Sequence, residues 1–100
     1  MLFRWRMTVV GKKTLNELVQ EHADVRAAIA AWTAEVEGAA WKGPQHVKKR
    51  FPSAGFIGEG RVVFNMKGNH YRLDVQIDYI TKVVLVKRIG THAEYDTWKF

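Results

Sequence analysis

The sequence predicts an α+β fold, with helices gathered in the first half and an antiparallel sheet in the second. Two patterns carry that expectation. An alanine-rich stretch over residues 25–39 has apolar residues at helical spacing, and three alternating runs between residues 61 and 89 are separated by turn residues. Size supplies a third argument. With 100 residues, 47% of them apolar and including four Trp and five Phe, the chain can bury one core and has no room for two, so a single domain over residues 1–100 is expected.

Each element has a local reason. Phe3, Trp5, Met7 and Val9 alternate with Arg4, Arg6 and Thr8, the period of a first strand over residues 3–10 that Gly11 ends. Thr14, with Glu17 three residues later, reads as a capping box for a helix running to about His22, whose apolar stripe is Leu15, Leu18 and Val19. Val25, Ala28, Ile29, Trp32 and Val36 form the stripe of a second helix, and the two make a helical hairpin. Gly43 and Pro44 open a short third helix over residues 45–50, which Phe51 and Pro52 terminate.

Residues 53–60 carry three glycines and read as a loop. Residues 61–66, 70–78 and 83–89 then read as a three-stranded meander, with Lys67-Gly68-Asn69 as the first turn and residues 79–82 as the second. In the middle strand Tyr71, Leu73, Val75, Ile77 and Tyr79 face a core, while His70, Arg72, Asp74, Gln76 and Asp78 face water. Residues 83–86 are apolar on both sides, which places the last strand inside the sheet and sends Lys87 and Arg88 to opposite faces. Thr91 and Glu94 make a second capping box, opening a short C-terminal helix with His92, Tyr95 and Lys99 on one side.

Charge is distributed unevenly. Residues 1–40 hold five Lys/Arg and five Asp/Glu, whereas residues 41–100 hold eleven and five, so the whole formal charge of +6 lies in the second part. A basic region of this kind suits phosphates or an acidic protein. Without cysteine there is no disulfide framework, zinc ribbon or thiol nucleophile, and chemistry falls to His, Tyr, Lys, Arg and carboxylates. No His-Glu-x-x-His, no histidine pair at metal spacing and no strand-to-helix glycine fingerprint occurs, so neither metal nor cofactor is expected. No apolar run approaches the ~18 residues of a spanning helix, and the opening residues lack the apolar stretch of a signal peptide, which leads to the expectation of a soluble, cytoplasmic protein.

The residues near the last turn and helix fit metal-free RNA cleavage. Such a site must deprotonate a 2′-hydroxyl, stabilise an anionic pentavalent phosphorus and protonate the departing 5′-oxygen. His92 suits the proton shuttle because a free imidazole titrates near pH ~6.5, and Asp96, one turn on, can orient its ring. Tyr95 is a second proton donor or a platform for a base. Arg72, Lys87 and Lys67 are the cations for the phosphate, with Asn69, Arg88 and the run Lys48-Lys49-Arg50 as further RNA contacts. Plainer readings stand beside these. His92 can simply open the helix, Tyr95 can dock it, Arg72, alternating with Asp74 on the wet face, can enter a cross-strand ion pair, and Lys48 to Arg50 can be a solvated helix face. His22, His46 and His70 read as structural or exposed, and Trp32 and Trp41 as packing residues.

Three segments carry a family resemblance: Arg61-Val62-Val63-Phe64-Asn65, Lys67-Gly68-Asn69-His70-Tyr71-Arg72-Leu73 and Gly90-Thr91-His92-Ala93-Glu94-Tyr95-Asp96. Together with the spacing of Trp32 and Trp41, they closely resemble the HigB family of type II toxins, a branch of the RelE-like toxins. The resemblance implies a RelE-like fold and an endoribonuclease that cleaves messenger RNA on the translating ribosome without metal. It implies a HigA antitoxin with a helix-turn-helix DNA-binding fold as partner, and places Arg72, Lys87, His92 and Tyr95 on the active-site surface. Where the family pattern reads basic then aromatic, this chain has Lys87 followed by Arg88, exchanging a bidentate fork for a point charge at the first position. A second function class on the same fold is a non-catalytic toxin or regulator that acts by protein binding, comparable to relatives that inhibit gyrase.

Overall fold

The computed structural model describes residues 5–100. The described residues form strand β1 (Thr8–Val10), helix α1 (Lys12–Glu21), a single 3-10 turn (Ala23–Val25), helices α2 (Arg26–Glu37) and α3 (Pro44–Arg50), strands β2 (Gly55–Gly58), β3 (Arg61–Met66), β4 (Tyr71–Asp78) and β5 (Val83–Thr91), and the one-turn helix α4 (His92–Tyr95). The five strands make one sheet in the order β1-β5-β4-β3-β2, antiparallel except that β1 runs parallel to β5. This is the expected α+β arrangement, with β5 inside the sheet as its double-sided apolar run required.

One face of the sheet is the core. Val62, Phe64 and Met66 from β3, Tyr71, Leu73, Val75 and Ile77 from β4, and Val84 and Val86 from β5 meet Leu15 and Val19 of α1 and Ile29, Trp32 and Val36 of α2. The helical residues recur every three or four positions and the strand residues every second one, so two periodicities close on one surface. Aromatic edges fix the packing: Trp32 and Phe51 both set a ring edge against Phe64, at centroid distances of 5.4 and 5.1 Å. Burying Phe64 to 1% exposure makes it the centre of this layer.

Several elements differ from the sequence reading. The first strand was expected over residues 3–10, of which residues 3 and 4 lie outside the described residues, and the strand found is Thr8–Val10. Helix α1 begins two residues before Thr14, so the Thr14–Glu17 capping box does not form. Gly11 takes φ +100° and turns the chain directly from strand to helix, with its missing Cβ pressed against Val86. The supposed loop over residues 53–60 contains β2, an exposed edge strand paired with β3. The one-turn helix α4 ends before Lys99, which therefore does not share a helical side with His92 and Tyr95.

The second face of the sheet is not simply wet. In register, Arg72 lies between Asn65 and Gly90, Asp74 between Val63 and Arg88, and Gln76 between Arg61 and Leu85. Asp74 is fully buried there. A bulge at Asp74/Val75 lets Val86 and Arg88, two residues apart, face opposite sides, because Val75 pairs with Val86 while Asp74 pairs with Arg88 and Lys87 is skipped. Residues 97–100 fold back over this face.

Candidate active site

Thr91 sets the position of the C-terminal chemistry. Its hydroxyl accepts from the Glu94 backbone N–H at 3.2 Å while the Glu94 carboxylate accepts from the Thr91 N–H at 2.8 Å, the reciprocal capping box expected from the sequence. The His92 N–H donates to the His70 carbonyl at 3.0 Å, tying α4 to the start of β4. Gly90 permits the close seat: a Cβ there would meet Trp98 and Glu94 at 3.1 to 3.2 Å.

On this platform Arg72, Tyr95 and His92 form one group. The Arg72 guanidinium lies 5.2 Å from the Tyr95 ring centroid, and the Tyr95 and His92 rings are 6.3 Å apart and edge to face. His92 Nδ1 is 3.2 Å from Asp96 Oδ2, with both side chains at least half exposed. Arg72 donates to the Asn69 carbonyl at 2.9 Å, and among the described residues no carboxylate pairs with it or with Lys87. The cross-strand ion pair expected for Arg72 is formed with no described residue, and Asp74, its neighbour two residues on in β4, is engaged by two other arginines. Its carboxylate accepts from Arg61 Nε at 3.1 Å and from Arg88 Nε at 2.9 Å, and Arg61 Nη2 closes the pair.

The other basic candidates are placed differently. Lys67 is held 2.8 Å from Asp24, whose other oxygen accepts from the Tyr71 hydroxyl at 2.8 Å. The Lys67 hydrogen bond first, and the Tyr71 one second, hold the Asp24 carboxyl below its usual range, and the same bond raises the Tyr71 phenol above its own. Asn69 contributes its carbonyl to Arg72. Arg88 also donates to the Lys99 carbonyl and lies over Trp98 and Phe100. On α3, Lys48 donates to the Ala54 carbonyl, Arg50 pairs with Glu35 of α2, and Lys49 is exposed. Lys87 is exposed at the bulge, and no hydrogen bond or ion pair joins it to the Arg72 group.

Asp74, Trp98 and Phe100 were not read as part of this surface. Their signal was present in the alternation of Arg61, Asp74 and Arg88 on facing strands, but the tail that covers them has no periodicity. A separate groove of about 700 Å³ lies on the helical side between α2, α3 and the end of β3, floored by Trp32, Trp41, Phe51 and Met66. It contains no candidate acid or base other than the Glu35–Arg50 pair and Lys67, so the chemistry points to the opposite face.

Helices α1 and α2 packed on one face of a small five-stranded mixed sheet agree with a RelE-like α+β fold. The model of the HigB toxin family, the RelE-like toxic component of a toxin–antitoxin system, matches residues 25–98, and the chain belongs to that family. No curated protein matches it. Membership makes the protein the toxin of a toxin–antitoxin pair and implies an antitoxin as its partner. Among the described residues, no helix is long and apolar enough to cross a membrane.

Proposed function

We propose that the protein is a metal-independent endoribonuclease that cleaves messenger RNA on the translating ribosome in the cytoplasm, and that a HigA-type helix-turn-helix antitoxin neutralises it. The observation that carries this reading is the Arg72 guanidinium, which pairs with no carboxylate among the described residues and stacks on Tyr95, beside His92, whose Nδ1 is 3.2 Å from Asp96. In the proposed reaction the 2′-oxygen attacks the adjacent phosphorus and the bond to the 5′-oxygen breaks, giving a 2′,3′-cyclic phosphate and a 5′-hydroxyl. His92 Nε2 takes the 2′-hydroxyl proton, and Tyr95 supports delivery of a proton to the departing oxygen. Arg72 neutralises the non-bridging oxygens as charge develops, with exposed Lys87 as a second cation. Arg88 and Asn69 lie beside this group, whereas Lys67, held by Asp24, and Lys48, Lys49 and Arg50 on α3 belong to the helical side and are assigned no phosphate in this reaction.

Mapping messenger RNA ends after expression in cells tests this. His92→Ala is expected to weaken cleavage by about 10²- to 10⁴-fold, the usual contribution of a positioned acid or base. Undiminished cleavage by both His92→Ala and Arg72→Ala overturns the site. Translation arrest without new ends, or gyrase poisoning, overturns the activity and supports a toxin that acts by protein binding.

A further inference from the structure

We propose that Tyr95, Trp98 and Phe100, backed by Arg61 and Arg88, form a stacking seat for the RNA base next to the cleaved linkage. The proposal rests on the ribonuclease reading and deepens it. The rings are continuous: Tyr95 is 5.6 Å from Trp98 and 6.5 Å from Phe100, centroid to centroid. Beneath them the Arg88 guanidinium lies 4.5 Å from Trp98 and 5.0 Å from Phe100, and Arg61 lies 5.6 Å from Phe100. The strip thus begins at the Arg72-stacked phenol and runs along the sheet face away from it.

Two further facts favour a nucleotide over a purely structural cover. Asp74 supplies a single buried negative charge to two guanidiniums, so the trio keeps one positive charge, and Arg72 adds another close by. A polyanion with flat bases complements that charge and those rings together. Phe100 is also 54% exposed although both arginines contact it. A ring that only sealed Asp74 would itself be covered, whereas one open on its outer side accepts a base by stacking. Stacking on a ring tolerates any base, so this seat adds grip without dictating sequence.

Phe100→Ala and the ring-keeping Phe100→Tyr variant test the seat, after melting curves show both folded. Single-turnover cleavage on programmed ribosomes is measured against toxin concentration, and binding of a labelled single-stranded oligoribonucleotide is followed by anisotropy. Phe100→Ala is expected to raise the half-saturating concentration about 5- to 150-fold, the equivalent of one lost stack. The loss appears there more than in the maximal rate, and Phe100→Tyr restores the wild-type value. An unchanged half-saturating concentration and unchanged anisotropy for Phe100→Ala overturn the seat while leaving the nuclease intact. A wild-type protein that binds the oligoribonucleotide through Phe100 yet never cleaves overturns the nuclease reading alone, and one that neither binds nor cleaves overturns both.

Discussion

Replacing Asp74 by asparagine keeps the side-chain shape and removes the one negative charge that two arginines share. The carboxylate is fully buried and accepts from Arg61 Nε and Arg88 Nε at 3.1 and 2.9 Å. Removing one partner of a buried ion pair costs about 3–5 kcal/mol, since the remaining charge stays desolvated. Here the guanidiniums are 25% and 33% exposed and can turn toward water, which moves the expected loss to the lower end, about 3 kcal/mol. In a domain of this size each kcal/mol shifts the melting midpoint by about 4–8 °C, so Asp74→Asn is expected to melt roughly 12–24 °C lower by circular dichroism or calorimetry. A fall of less than about 4 °C, equivalent to under about 1 kcal/mol, refutes the claim that this carboxylate holds the face together. An apolar replacement of all three residues checks the cause. It should recover much of the loss, because a well-packed apolar cluster commonly matches a buried ion pair. If it melts as low as the single variant, stranded charge is not the cause of the loss.

Other outcomes follow from single residues. Thr91→Val removes the cap that seats His92 and Tyr95, at about 1 kcal/mol, and should depress cleavage much more than it lowers the melting temperature. Gly11→Ala forces a Cβ into φ +100° and against Val86, and calorimetry should register a loss of about 1–3 kcal/mol. Acid titration should expose Asp24 and Glu35, whose carboxyls are held low chiefly by Lys67 and Arg50. The stability they add is present above their ordinary values of 3.8 and 4.5 and is lost as pH falls through the lower folded values. At the alkaline end the Tyr71 phenol is raised by its bond to Asp24 and the Tyr79 phenol by burial. Their contribution is complete below 10.0 and disappears as pH rises through the folded values, so urea midpoints should decline there.

The parts of the fold set by local pattern were legible in the sequence. The stripe through Ile29, Trp32 and Val36, the core side of β4 and the Thr91–Glu94 cap each arise from neighbours within a turn or a strand. What escaped the reading depends on residues far apart. Asp74 looks like a solvent residue by alternation, and only Arg61 and Arg88, delivered by flanking strands and roofed by Trp98 and Phe100, make its burial tolerable. The Thr14–Glu17 pattern is a proper capping signal that lost to Gly11, whose left-handed backbone began the helix earlier. Strand β2 was hidden because its four residues are all exposed and flanked by glycine, so its only cause is the edge of β3. The site shows the same division. The placing of His92 and Tyr95 near one another is local, whereas the seat of Arg72 against Tyr95 joins β4 to α4.

The parallel pairing of β1 with β5 has a consequence for synthesis. Thr8, Val9 and Val10 dock against Val83, Val84 and Leu85, so synthesis must pass Leu85 before the strand leading into α4 gains its second neighbour. The β3–β4 hairpin closes a short loop and can form early, but this last pairing closes a long one and comes late. A chain interrupted before β5 therefore lacks the strand that joins β1 to β4 and the α4 turn that follows it.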